Sequence, residues 1–378
     1  MKNPAPSRTP GWRAALRAAV LGAALGLAAL PTVAQRVPAA PLAAAPEAAL
    51  LVPGAPARTA VDAAREARAF AGLAARIERE QTDVRSVVVL RQGHLAFEYH
   101  RAPWTAASLH DTQSVTKSVL GILTGMALAD GTLKRLDQPV AVRLPELARG
   151  NPDPRAAQLR FSHLLTMTAG WGGLQTSRRD RDDDLAWLTR RPFVAAPGTQ
   201  FAYDNGAANL LALALERMLG RPVSAYARER LFEPLGIRRF EWAQGGHGHD
   251  LGALGLRLST RDMALIGQLM LQEGRWGSRQ LLPRDFARAA TERQNAGGPP
   301  VDTAYGYLWW VAPTAPGRKA ERRTFMASGH GGQWIWVYPP LDLVVAAASG
   351  TSPASMARGQ AITLIRKDIV QAVRALGR

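Results

Sequence analysis

Two periodicities divide the chain. Ser86-Val87-Val88-Val89-Leu90 and Leu95-Ala96-Phe97-Glu98-Tyr99 are short β-rich runs flanking Arg91-Gln92-Gly93-His94, the pattern of a hairpin. Before them, the Ala/Arg/Glu text from Val61 to Glu80 has helical spacing. After them, apolar residues run through Leu120, Ile122, Leu123 and Met126 and stop at Asp130-Gly131, which predicts a buried central helix opening near Asp111. A block of helical segments follows: Phe161 to Thr168, Leu185 to Thr189, Ala207 to Leu219, Val223 to Leu231 and, past a turn at Pro234-Leu235-Gly236, Arg261 to Gln272. Strands return at Tyr307 to Val311, Trp334 to Tyr338 and Leu343 to Ala348, and Ile362 to Leu376 closes as a helix. No internal repeat is present.

Strand-forming text at both ends and helical text between predict an α+β fold. One antiparallel sheet is built from the two ends and flanked by helices, with a mainly helical inserted domain beside it. The α/β part is expected at about 58–125 and 257–376, the helical part at about 126–256, and a crevice between them.

Composition narrows the picture. The hydrophobic fraction of 47% and charged fraction of 20% are those of a globular protein. The net charge of +17 raises nucleic acid as a partner, but the arginines are scattered among Asp and Glu and no zinc-finger or basic-helix spacing appears, so no nucleic-acid partner is expected. Cysteine is absent, which removes disulfides and thiolate chemistry. Residues 1–17 are basic and acid-free, Ala18 to Leu30 form a thirteen-residue apolar run, and small residues precede Ala34. This is the pattern of a signal peptide over 1–34, too short to favour a membrane span, followed by an Ala/Pro-rich linker over 35–57. The expectation is an exported, periplasmic or secreted protein with no stable membrane insertion after cleavage.

The candidate chemistry starts at Ser114-Val115-Thr116-Lys117. Three residues apart on a helix, a hydroxyl and an amine share a face. A neutral lysine amine can take the serine proton and create a nucleophile, while the positive helix N-terminus and burial disfavour the ammonium. Only five of the 47 basic residues are lysine, and arginine cannot act as a base, so a lysine at this place is notable. A surface Ser/Lys pair is the plain alternative. Two further stretches carry polar groups in turns. Tyr203-Asp204-Asn205 precedes a helix, and His330-Gly331-Gly332-Gln333 runs into a strand. Taken singly, these admit a packed tyrosine, a turn or cap asparagine, and a structural loop histidine.

Together, S-x-x-K, Y-x-N and H-G-G in this order resemble the serine β-lactamase and penicillin-binding-protein superfamily, most closely the branch with class C β-lactamases, family VIII esterases and 6-aminohexanoate-dimer hydrolases. Leu164 to Gly170 (L-L-T-M-T-A-G), Glu233 to Ile237 (E-P-L-G-I), Gly255 to Asp262 (G-L-R-L-S-T-R-D) and Tyr305 to Trp310 (Y-G-Y-L-W-W) extend the likeness over about residues 60–376. The resemblance implies that Ser114 becomes acylated and that Lys117 and Tyr203 form the proton-transfer pair. Asn205 would bond the substrate amide or the lysine, and the backbone amides of Ser114 and Gln333 would form an oxyanion hole beside Gly332. His330 stands where a lysine holds the carboxylate of β-lactams, which points away from penicillins and toward small esters or amides. A monomeric, cofactor-free serine hydrolase is implied. β-Lactamase or D-alanyl peptidase activity, or a catalytically silent binding protein on the same fold, are the alternatives.

Elsewhere, His247-Gly248-His249-Asp250 lacks metal-ligand spacing and reads as a surface loop. Asp180, Asp182, Asp183 and Asp184 suit the start of the helix at Leu185. Trp309, Trp310, Trp334 and Trp336 read as strand core, and Trp171 as core or rim.

Overall fold

The computed structural model describes residues 36–38, 52–172, 183–312 and 324–377. The expected leader over 1–34 and most of the linker over 35–57 lie outside them, as do Asp180 and Asp182.

Eight antiparallel strands form the main sheet, in the order 94–100, 84–91, 343–349, 333–338, 325–329, 310–311, 303–305 and 295–298. The two strands with unbroken apolar runs, Val84–Arg91 and Leu343–Ser349, are neighbours in the middle of one half, with Val88 opposite Ala346. Unbroken runs belong to strands covered on both faces. Val88, Leu90, Val344 and Ala346 face the central helix Val115–Ala129 and the helix Thr260–Leu271. Val87, Val89, Val345 and Ala347 face the other way, onto Phe70, Leu73 and Ile77 and onto Leu364, Ile365, Ile369 and Val373 of the C-terminal helices. Each fully buried Val, Leu or Ile among them contributes roughly 1.5–3 kcal/mol.

The spacing predicts one helix over 61–80. The structure has two, Ala60–Ala69 and Leu73–Glu80, because Gly72 takes a left-handed φ of 74°. The closing helix is likewise interrupted by a π-helical stretch, Leu364–Ile369. Three strands of the main sheet were not expected: Asn295–Gly298, Thr303–Tyr305 and Phe325–Gly329. Their Gly, Ala, Asn and Ser residues read as loop, and only pairing to neighbours makes them strands.

The central helix is buried along nearly its whole length. Close approach requires its glycines: a Cβ on Gly125 would lie 2.4 Å from the Phe286 ring, and one on Gly121 would lie 2.8 Å from the Tyr307 carbonyl oxygen. A small second sheet joins 36–38, 241–243, 256–258 and 110–111. It ties His110-Asp111, just ahead of Ser114, to Leu256–Leu258.

His110 is buried there, with Nε2 3.3 Å from Ser86 Oγ. Burial, helped by the nearby charges of Arg85, His100 and Arg257, pushes its pKa down to about 4. The folded chain therefore holds a neutral imidazole that the unfolded chain protonates near pH 6.5. Stability is expected to be intact above pH 6.5 and to fall by roughly 3 kcal/mol as pH drops toward 4. Urea midpoints at pH 7 and 4.5, compared between wild type and His110→Gln, read this effect. The variant should lose clearly less stability on acidification than the wild type, and equal losses refute the assignment.

Candidate active site

Ser114 stands at the N-cap position of the central helix, with φ −69° and ψ −2°, and its side chain makes no capping bond. The hydroxyl is therefore not used up by the helix. Gln113, just before it, has a left-handed φ of 52°, a conformation disfavoured for a residue with a Cβ and concentrated at functional sites. Its N–H donates to Asp111 Oδ1 at 2.9 Å, which holds the turn. The helix was expected from about Asp111. It starts later because Asp111 pairs in the small sheet instead.

Lys117 is 1% exposed, so the plain reading of a surface Ser/Lys pair does not hold. Its Nζ lies 3.0 Å from Ser114 Oγ, 2.8 Å from Asn205 Oδ1 and 2.7 Å from the Ala253 carbonyl oxygen. It also sits 4.9 Å from the centre of the Tyr203 ring. The two oxygens of Asn205 and Ala253 have no proton to offer, so two N–H bonds of the amine are directed at them.

The segment that brings Ala253 is laced to the helix start. Thr112 Oγ1 donates to the Leu256 carbonyl at 2.8 Å, Leu256 N–H donates to Thr116 Oγ1 at 3.2 Å, and Ala253 N–H donates to Asn209 Oδ1 at 2.9 Å. Ala253 carries no sequence signal, since a backbone carbonyl leaves no side-chain signature.

Tyr203 and Asn205 come from the start of the helix Asn205–Leu219. Asp204 is the residue that caps this helix, accepting from Ala207 N–H. Asn205 is thus free of that duty and turns its amide to Lys117. Tyr203 is buried against Trp310, with ring centroids 5.5 Å apart and planes at 23°, and meets Tyr305 edge-on. Trp310 is core, as expected, and it is also the wall behind the phenol. Burial pushes the Tyr203 phenol up to about 12, against a smaller opposing pull from its hydrogen bond with Ser114.

His330, Gly331 and Gly332 form the turn between the strands Phe325–Gly329 and Gln333–Tyr338. The glycines have φ of 81° and 89°. A Cβ on Gly329 would lie 2.3 Å from the Thr112 carbonyl oxygen, so this strand end abuts the segment leading into Ser114. His330 is exposed, and its ring has no hydrogen-bond partner among the described residues, which removes the structural-histidine reading. The Gln333 side chain is buried, donating to the Ser349 carbonyl at 2.9 Å and accepting from Ser349 N–H.

The remaining sequence candidates fall elsewhere. His249 Nδ1 pairs with Glu216, while the buried Asp250 accepts from Ser224 N–H, so this loop is anchored rather than simply exposed. Among the described residues no group of three His, Asp or Glu is arranged to hold a metal ion. Asp184 caps the helix Leu185–Thr189 as expected, but Asp183 is buried and accepts from the N–H groups of His247 and His249. Trp171 is buried rather than at a rim.

Comparison with known proteins fits this geometry. The chain is 26% identical over 306 residues to the 6-aminohexanoate-dimer hydrolase of Paenarthrobacter ureafaciens, covering 72% of this chain and 74% of that protein. It is 29% identical over 204 residues to esterase EstB of Burkholderia gladioli, covering 44% of this chain and 51% of that protein. The solved structure of EstCE1, a hydrolase with promiscuous acyltransferase activity, matches with a TM-score of 0.67 over 82% of this chain and 100% of that one, at 17% identity. That last likeness is one of fold. The beta-lactamase family profile matches residues 58–368. The chain belongs to the beta-lactamase family, and it is a serine hydrolase of that family.

Proposed function

We propose that this protein hydrolyses a small ester or amide through an acyl-enzyme on Ser114, with Lys117 as general base and Tyr203 as a neutral proton carrier. The observation that carries the reading is the setting of the buried Lys117 amine, 3.0 Å from Ser114 Oγ with two acceptors that cannot donate on its other sides. A neutral amine has two N–H bonds and one lone pair. With the N–H bonds directed at Asn205 and Ala253, the lone pair faces the Ser114 hydroxyl.

The steps follow. Lys117 Nζ takes the Ser114 proton as Oγ bonds the acyl carbon, and the carbonyl electrons move onto oxygen. The backbone amides of Ser114 and Gln333, beside Gly332, are assigned to that oxyanion; one such donor is worth about 3 kcal/mol. The intermediate collapses, the bond to the leaving group breaks, and the leaving oxygen or nitrogen takes the proton from Lys117 by way of the Tyr203 phenol. Water repeats the sequence on the acyl-enzyme, and Ser114 is regenerated. With its pKa near 12, Tyr203 keeps its proton at neutral pH, so it is suited to pass a proton and not to act as the resting base.

His330 is exposed at the turn, in the place where the resemblance puts a lysine for the carboxylate of β-lactams. This favours esters and amides over penicillins. The basic N-terminal segment and its apolar run support export, and the reading includes a monomer without a cofactor.

The test is labelling by a fluorophosphonate, run beside p-nitrophenyl esters of increasing acyl length, nitrocefin and a D-alanyl dipeptide. Wild type is expected to label, Ser114→Ala is not, and short esters are expected to turn over fastest. Absence of labelling on wild type supports a silent binding protein. Nitrocefin or the dipeptide turning over as fast as the best ester moves the substrate to cell-wall-like compounds.

A further inference from the structure

The residue between Tyr203 and Asn205 makes a buried ion pair beside the site. Arg191 is 4% exposed, and its two terminal nitrogens donate to the two oxygens of Asp204, each at 2.6 Å. Such a two-pronged pair fixes distance and angle together. The guanidinium also lies 4.3 Å from the centre of the Trp171 ring and 5.6 Å from that of Trp187. The loop carrying Arg191 is itself held, since Asn151 Nδ2 donates to the carbonyls of Thr189 and Arg191 at 2.7 and 3.0 Å. A Cβ on Gly206 would lie 2.2 Å from an Arg191 terminal nitrogen, so the residue after Asn205 must be glycine for the arginine to reach. Asp204 Oδ1 meanwhile caps the helix through Ala207 N–H at 3.2 Å.

We propose that Arg191 and Asp204 are positioning residues, a clamp that sets the angle of the Tyr203 phenol and the Asn205 amide toward Ser114 and Lys117. The proposal rests on the acyl-enzyme reading above. The chain leaves Asp204 on both sides into side chains of the site. Tyr203 is pinned upstream, where Ala202 N–H donates to the Met167 carbonyl at 2.8 Å, and Asn205 downstream, where its Oδ1 meets Lys117 at 2.8 Å. A rotation about the Asp204 backbone displaces both at once. Neither Arg191 nor Asp204 touches the reacting atoms, and a displacement of about 1 Å in such a site costs on the order of 100-fold in rate.

A purely structural ion pair and a positioning pair separate in a double variant. Arg191→Met or Asp204→Asn alone leaves one buried group of the pair uncompensated and should lower Tm by roughly 10 °C. Asp204→Asn retains an oxygen for the helix cap. In Arg191→Met/Asp204→Asn no buried charge is orphaned, so Tm should return most of the way to wild type. Under the proposal, kcat on a p-nitrophenyl ester stays about 100-fold low in the double variant, KM changes little, and fluorophosphonate labelling of Ser114 slows in parallel with kcat. Recovery of kcat together with Tm overturns it. Wild type that fails to label at all overturns the acyl-enzyme reading and the clamp with it, whereas a labelled wild type with a fully active double variant overturns the clamp alone.

Discussion

Replacing Ser114 with alanine is expected to lower kcat by about 10⁶-fold, and adding Lys117→Met to that variant should remove almost nothing more. The reason is chemical interdependence. An amine 3.0 Å from the hydroxyl serves catalysis only by taking that proton, and the hydroxyl attacks only once relieved of it. Each single loss therefore removes the same step. Lys117→Arg adds a sharper reading. It carries a permanent positive charge and N–H donors toward Asn205 and Ala253 but has no lone pair at any working pH. If Lys117 acted as a fixed cation, Lys117→Arg would retain appreciable activity. As a base it should be as inactive as Lys117→Met. Single-turnover rates on a p-nitrophenyl ester, with background hydrolysis subtracted, measure all four variants. Multiplicative losses in the double variant would mean that the two residues act independently.

Much of this site could be read before any coordinates, and for identifiable reasons. Ser114 and Lys117 are local in sequence, so helical spacing alone places them on one face. Lysine is rare in a chain that otherwise uses arginine, which lifted Lys117 out of the background. The apolar runs over 86–90 and 343–348 were legible as strands, and it is the structure that pairs them and covers both their faces. Tyr203, Asn205 and His330 were visible through ordered motifs rather than through local physics, since nothing in Y-x-N by itself says that a helix start folds back onto Lys117.

The missed features share a different character. Ala253 contributes a carbonyl, which every residue has. Gln113 contributes a backbone angle. Strand Phe325–Gly329 is built from small residues whose propensity is poor and whose pairing is non-local. Arg191 was hidden in plain composition, one arginine among 42, and only the two-pronged contact with Asp204 distinguishes it. The capping role that the sequence reading allowed for Asn205 belongs to its neighbour. That one-residue shift turns the Asn205 amide toward Lys117 while Asp204 holds the helix and the arginine.

Tyr203→Phe is expected to lower kcat by about 10³-fold with little change in KM, and its consequence for pH dependence is the more discriminating result. Burial favours the neutral phenol, whose pKa moves from 10 in the open chain to about 12 in the fold. A raised folded pKa stabilises the protein fully below pH 10, and that contribution is lost as pH rises through 12. Below pH 10 the phenol remains protonated, so no limb of the rate profile in that range belongs to it. Wild type and Tyr203→Phe should therefore show profiles of the same shape between pH 6 and 10, displaced vertically by a constant factor. Were tyrosinate the base, wild-type activity would climb toward alkaline pH and the phenylalanine variant would lose that climb. The Trp310 ring stacked on Tyr203 offers a second handle on the same quantity. Trp310→Ala lets water reach the phenol and lowers its pKa toward 10, so tyrosinate should form at lower pH and the stability lost between pH 10 and 12 should shrink. Absorbance of tyrosinate near 295 nm during a pH titration, compared across wild type and Trp310→Ala each with and without Tyr203→Phe, separates that shift from the other tyrosines. A wild type whose full complement of tyrosines ionises near pH 10 while still folded would show that Tyr203 is not held in an apolar setting, and its assignment as a neutral proton carrier would fail.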